Sequence, residues 1–250
     1  MKRSLALPAL SVLTAMFVIA GSAHASPKRT SGWIVEQFHE INGREITYIS
    51  RDFVRLERVN NHYTVLIDER KNKIYFFSEK LGLLYKSSLS AFNFQSVNIL
   101  RLMTGYTRAA DRWKFKGVVR LGNTDSLCYE SVDSSNVFRG TVAGGYLSGE
   151  KRLVETVAFL YLSKEIPVSK TVSRLLAQLQ GTKDLGKLPL KEVTIWNTER
   201  KSKTNLELVS FKRAAISGEK GLVPTGYRQT SDLNDITNMD KSSAEELLCK

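Results

Sequence analysis

Between residues 32 and 87, hydrophobic and polar positions alternate in short runs, and each run ends at a cluster of turn formers. Alternation with period 2 marks strands that bury one face. Residues 33–41 and 44–50 flank Asn42-Gly43. That dipeptide favours positive φ at both of its positions and predicts a two-residue hairpin turn. Arg51-Asp52 separates 44–50 from 53–59, and Asn60-Asn61 leads to 62–68. Glu69-Arg70-Lys71-Asn72 then leads to 73–78, and Glu79-Lys80-Leu81-Gly82 to 83–86. These turns dictate register, because a one-residue slip would move every side chain to the opposite face. They place Leu56 opposite Val65, Val54 opposite Ile67, Ile67 opposite Ile74, Val65 opposite Phe76 and Phe76 opposite Tyr85. One face thus collects Ile49, Val54, Leu56, Tyr63, Val65, Ile67, Ile74, Phe76, Leu83 and Tyr85. The other face mixes Arg55, Glu57, Thr64 and Asp68 with Tyr48, Leu66, Tyr75, Phe77 and Leu84.

At residues 88–104 the period changes. Leu89, Phe92, Ser96, Ile99 and Met103 fall at helical spacing and predict an amphipathic helix ending near Gly105. Strands resume at 112–121, 125–132, 137–147 and 153–162. Pro167 marks a second helix whose apolar side is Val168, Val172, Leu175, Leu176 and Leu179, with Gly181 suited to its C-terminal cap. Further strands are expected at 190–198, 204–214 and 227–229. The end of the chain is polar, with a short helix at 242–248. The order of elements predicts an α+β, mainly antiparallel β fold in one domain, residues 26–235, followed by a polar tail, 236–250.

The first 25 residues alter the charge balance. Lys2 and Arg3 precede an uncharged apolar stretch, and Ala23-His24-Ala25 forms a small-x-small cleavage site. This is the layout of a secretory signal peptide, and the stretch is short for a membrane span. The expected product is extracytoplasmic, periplasmic or secreted. Loss of Lys2 and Arg3 lowers the formal charge from +12 to +10. For an exported chain the natural counterpart of that excess is an anionic membrane surface or envelope polymer rather than nucleic acid. Two cysteines, Cys128 and Cys249, permit one disulfide in an oxidising compartment and equally two unrelated thiols.

Catalytic and metal chemistry find little to work with. Once the signal is removed, the histidines are His39 and His62, both at strand or turn positions. Ser217-Gly218-Glu219-Lys220 matches a Ser-x-x-Lys pattern but lacks the companion motifs of that chemistry. Asp52, Asp68 and Glu69 read as turn residues. Arg200-Lys201-Ser202-Lys203 reads as a solvated hairpin turn. Arg112-Trp113-Lys114-Phe115-Lys116 reads as a strand with cations on one side and aromatics on the other, so it is no platform for stacking nucleic-acid bases. No catalytic residue, metal ligand or cofactor site is assigned.

Several short motifs occur in a characteristic order. Arg51-Asp52-Phe53-Val54-Arg55-Leu56-Glu57, Val65-Leu66-Ile67-Asp68 and Lys73-Ile74-Tyr75-Phe76-Phe77 are followed by Tyr161-Leu162-Ser163-Lys164-Glu165-Ile166-Pro167 and Val223-Pro224-Thr225-Gly226-Tyr227. In this pattern the chain resembles the bacterial outer-membrane lipoprotein-sorting superfamily, the LolA/LolB-like proteins and their periplasmic relatives, from about residue 32 to 235. The resemblance implies an open, curved β-barrel (a half-barrel) covered on its concave side by helices. It also implies a carrier of lipid or lipoprotein acyl chains. The ten apolar residues above would line the cavity, and Leu89, Phe92, Ile99, Met103, Val172, Leu175, Leu176 and Leu179 would form its lid. The same face is equally the core that any sheet must bury. Hence there are two readings: a lipid or lipoprotein carrier, or an envelope interaction protein with a filled core. A hydrolase ranks third.

Overall fold

The computed structural model describes residues 29–92, 112–132, 135–139, 142–143, 146–147, 152–196 and 201–237. Strands β1 (Arg29–His39), β2 (Gly43–Ile49), β3 (Val54–Arg58), β4 (Tyr63–Asp68), β5 (Lys73–Ser78) and β6 (Leu83–Ser88) form an antiparallel meander. The expected cross-strand pairs form: Val54 with Ile67, Leu56 with Val65, Ile67 with Ile74, Val65 with Phe76, and Phe76 with Tyr85.

The turns explain this agreement. Residues 59–62, 69–72 and 79–82 each make a four-residue turn whose last residue has positive φ: His62 at 54°, Asn72 at 51° and Gly82 at 59°. Asp68 anchors the second turn by accepting the backbone N–H of Lys71, and Ser78 anchors the third by accepting that of Leu81. A non-glycine residue in the left-handed region carries a steric cost of roughly 1 kcal/mol. His62→Gly should therefore leave stability unchanged or raise it by up to about 1 kcal/mol, whereas Gly82→Ala should lower it by a similar amount. Thermal unfolding of the two variants checks the pair.

The first hairpin departs from expectation. Asn42 does not adopt positive φ, and a three-residue turn, 40–42, joins β1 to Gly43 at φ 69°. His39 Nδ1 accepts the backbone N–H groups of Ile41 and Asn42, so a side chain organises this turn. A Cβ on Gly43 would lie 2.4 Å from Asn60 Oδ1, which itself accepts the N–H of Arg44.

After the meander come β7 (Trp113–Leu121), β8 (Thr124–Ser131), β9 (Ser135–Arg139), β10 (Val142–Ala143), β11 (Tyr146–Leu147) and β12 (Arg152–Ser163). The single strand expected at 137–147 is three short ones. β10 and β11 pair with each other, antiparallel, as a separate two-stranded sheet. In β7 a bulge between Phe115 and Gly117 breaks the expected alternation. Phe115 is half-exposed beside Tyr129, and Lys116 pairs with Glu130 at 2.6 Å.

Helix α1 (Lys170–Leu179) follows, then β13 (Pro189–Trp196), β14 (Lys201–Ser217), a 3-10 turn (Gly218–Gly221), β15 (Arg228–Thr230) and α2 (Asn234–Thr237). Ser169 caps α1 by accepting the N–H of Val172. Gly181, at φ 60°, closes the other end: its N–H reaches Gln178 O and that of Thr182 reaches Ala177 O. This is the glycine-terminated arrangement that satisfies the last carbonyls of a helix. Lys201–Lys203, expected in a turn, are strand residues. β14 is long because its first part pairs with β13 and the rest with β1.

Among the described residues thirteen strands make one sheet in the order β15-β6-β5-β4-β3-β2-β1-β14-β13-β12-β8-β7, with β9 beside β12. All pairs among them are antiparallel except β15 with β6. The sheet ends at β15 and β7 and is not closed among the described residues. Its β7–β8 end curls: Asn123 Nδ2 donates to Phe211 O at 3.4 Å, although β13 and β12 separate β8 from β14 in the sheet. The main core lies on the face that carries Val54, Leu56, Val65, Ile67, Ile74 and Phe76, with α1 packed against it. Ile236 of α2 belongs to this core too, so packing extends past residue 235. Among the described residues no helix is long and apolar enough to cross a membrane.

Candidate functional site

The face picked out by the alternation is the centre of the molecule. Ile49, Val54, Leu56, Tyr63, Val65, Ile67, Ile74, Phe76 and Leu83 are buried, at 0–8% exposure, and Tyr85 is half-buried at its edge. Val172, Leu175, Leu176 and Leu179 of α1 join them, as do Leu89 and Phe92. The helix expected at 88–104 falls mostly outside the described residues, as do Ile99 and Met103. Phe76 is the hub of a ring cluster, 5.3 Å from Phe92, 6.1 Å from Tyr85 and 6.3 Å from Tyr63 between centroids.

Set into this apolar face is a polar row that the alternation did not reveal. Gln37, Glu45, Arg58 and Tyr63 stand directly opposite one another on β1, β2, β3 and β4. All four are buried. Arg58 Nε donates to Glu45 Oε1 at 2.9 Å, and its Nη1 donates to the Tyr63 hydroxyl. Asn42 Nδ2 donates to the same Glu45 oxygen at 3.1 Å. Gln180 Nε2, just beyond α1, donates to Gln37 Oε1 at 2.9 Å and to Glu45 Oε2 at 3.3 Å. Arg58 Nη2 donates to Leu179 O in the last turn of the helix.

A cation at a helix C-terminus meets the negative end of the helix dipole and the orphan carbonyls together. Burial disfavours the Arg58 charge, but Tyr63 and Glu45 outweigh it and hold the guanidinium above its ordinary value. Burial also pushes the Tyr63 hydroxyl up, so it stays neutral and accepts from Arg58. His39 Nδ1 accepts two N–H groups, which leaves the proton on Nε2, 3.1 Å from Gln180 O. The C-terminal end of α1 is thus tied to the sheet through buried polar contacts. Its N-terminal end is tied by Ser169, whose hydroxyl donates to Glu69, and its middle by Arg174 donating to Leu89 O.

The outward side of the meander differs. Phe53, Leu66, Phe77 and Ile216 form a small second core, covered by the segment that follows β14. There Glu57 Oε1 accepts both Arg55 Nε at 2.8 Å and Lys220 Nζ at 2.7 Å. Partial burial raises the Glu57 carboxyl, but its bonds to Lys220 and Arg55 outweigh this, and its pKa falls below the ordinary value. A carboxyl with a depressed folded-state pKa contributes stability above its unfolded pKa and loses it as pH falls through the folded one. Wild type should therefore outperform Glu57→Gln at neutral pH, and the two should converge in acid below the ordinary carboxylate range. Urea midpoints across that range check this.

Lys220 is bound to Glu57 and Ser217 caps the 3-10 turn by accepting Glu219 N–H, so the Ser-x-x-Lys pair is not assembled. Asp52 pairs with Arg70, and Asp68 with Lys71 at 2.8 Å. Cys128 is a buried thiol beside Tyr161, and Cys249 lies outside the described residues. Among the described residues no three His, Cys, Asp or Glu side chains are grouped to hold a metal.

No protein-family model matches the chain, and no curated protein matches it. Among solved structures it is similar to the crystal structure of an uncharacterized conserved protein from Thermus thermophilus. The two are 14% identical with a TM-score of 0.41, over 80% of this chain and 90% of that one.

Proposed function

We propose that the protein is an exported, non-catalytic carrier or binding protein of the cell envelope. Its ligand would be a lipid, the acyl chains of a lipoprotein or another apolar molecule, held between a curved open sheet and helices on its concave side. The observation that carries this reading is the manner in which α1 is fastened. The helix gives Val172, Leu175, Leu176 and Leu179 to the apolar core, while among the described residues its polar ties to the meander strands and their turns are at its two ends, with Arg174 between them bound to Leu89 O just past β6. In this reading the helix lifts as a unit, and the ten apolar residues beneath it become the lining. Each methylene of a ligand taken from water would return about 0.8 kcal/mol, so a long acyl chain, rather than a short one, is needed to offset uncovering four buried aliphatic side chains at roughly 1.5–3 kcal/mol each. The segment 1–25 supports an extracytoplasmic location, and the basic balance suits an anionic membrane surface.

The test is native mass spectrometry of protein purified from its own envelope, before and after solvent extraction. A mass increment removed by extraction is expected. A single unliganded mass, together with failure to take up fatty acid or phospholipid on reconstitution, would overturn the carrier.

A second reading is an interaction protein whose sheet is a scaffold. Its support is the near-zero exposure of Leu56, Val65, Ile67, Ile74 and Phe76, the state of side chains in a filled core. It predicts an envelope protein recovered by cross-linking and no bound lipid.

A further inference from the structure

We infer that the outward side of the meander holds a second binding site, for a phosphate group, built on Arg55 and Lys220. The site is an open cleft of about 460 Å³ whose lining includes Arg55, Glu57, Thr64, Phe77 and Lys220. Arg55, Glu57, Thr64 and Phe77 alternate with the apolar core residues of β3, β4 and β5, so the cleft is on the side of the sheet away from α1. Apart from Tyr63 and Arg58, at the ends of β4 and β3, its described lining is not shared with the apolar face.

The arrangement is fixed before any ligand arrives. The Arg55 side chain is only 11% exposed. Its guanidinium lies 5.2 Å over the Phe77 ring, donates through Nε to Glu57 and reaches Lys220 O through Nη1 at 3.4 Å. The Lys220 ammonium sits 4.4 Å over the Tyr48 ring and donates to Glu57. Two cations therefore lean on one oxygen of one carboxylate. Glu57 orients both without neutralising both. The guanidinium carries five N–H donors in a planar fork, and the Nε and Nη1 contacts do not exhaust them.

Lys80, Glu79 and His62 also line the cleft, and Arg58, which borders it, is matched by Glu45. Arg55, Lys220 and Lys80 stand there with Glu57 and Glu79. A part-buried arginine with donors to spare, a lysine beside it and an aromatic floor suit a tetrahedral oxyanion, which accepts from a fork and an ammonium at once. The volume exceeds what one small ion needs, so the phosphate of a larger molecule fits: a soluble phosphoester or a phospholipid headgroup.

Amide shifts of the isotopically labelled mature chain, titrated with inorganic phosphate and with glycerol phosphate, test the site. Sedimentation with phosphatidylglycerol against phosphatidylcholine vesicles tests the headgroup. Saturable shifts confined to residues 55–64, 77–80 and 220 are expected. Arg55→Gln and Lys220→Gln should each weaken binding roughly tenfold, the loss of one charge-assisted hydrogen bond. Lys212→Gln, an exposed cation on β14, should change nothing. Saturation by the soluble phosphates assigns a soluble ligand, and binding to phosphatidylglycerol vesicles alone assigns a headgroup. No saturable response to any probe overturns the site, as does a Lys220→Gln protein that binds like wild type. Lys220→Gln alone decides the matter if Arg55→Gln does not fold.

Discussion

Replacing Arg58 with alanine should destabilise the protein by about 3–5 kcal/mol, enough to unfold a domain of ordinary stability. Glu45 would be left with no surface exposed and no cation beside it. The Leu179 carbonyl and the Tyr63 hydroxyl would lose a donor in the same stroke. The cost arises from the orphaned carboxylate more than from any net strength of the pair, because taking two charges out of water consumes most of their attraction. The double variant Glu45→Gln, Arg58→Met should therefore recover most of what Arg58→Ala loses. Urea unfolding followed by circular dichroism distinguishes these outcomes. An Arg58→Ala protein within about 1 kcal/mol of wild type would mean that the polar row does not hold α1.

Phe76→Ala should cost about 3–5 kcal/mol, the range for deleting a fully buried ring from a core that cannot collapse around the gap. Phe76 has no exposed surface and touches rings from β4, β6 and the segment after β6. The lipid load of the same variant separates the two functional readings, because in both the face is packed as core while α1 is seated. In a scaffold the void stays empty and no lipid is carried. In a carrier it adds room under the lifted helix and raises the amount of lipid carried. Thermal unfolding together with native mass spectrometry of the variant reads both. A loss under about 1 kcal/mol would show that the face is not packed as a core.

The meander was legible because period-2 alternation and local turns constrain each other. Once Asn60-Asn61 is placed, Val54 and Leu56 can face only Ile67 and Val65. The polar row was not legible because it occupies inward positions with outward residue types. Arg58 shares the parity of Val54 and Leu56, and the register that pairs Leu56 with Val65 already pairs Arg58 with Tyr63. Following that register one step further would have found it. Gln37 and Glu45 were hidden for another reason. Asn42-Gly43 predicts a two-residue turn, but His39 takes up the turn's N–H groups and the pairing moves to His39 with Gly43. No local pattern reports a side chain that overrides turn chemistry. The outward cleft escaped for a third reason: Lys220 reaches Glu57 across 163 positions of chain, a contact visible only once the fold is known.

The pairing of β1 with β14 has a consequence for how the chain can be made. β1 lies in the interior of the sheet, yet one of its flanks is supplied by residues near position 210, long after its other neighbour, β2. A chain synthesised from its N-terminus carries an eleven-residue strand with one bare edge until β14 emerges. Such an edge is a template for pairing with other chains, and β1 has neither a proline nor a lysine to blunt it. A truncated product ending before β14 would present the same edge permanently. The last third of the molecule thus acts as the cover that its first strand awaits.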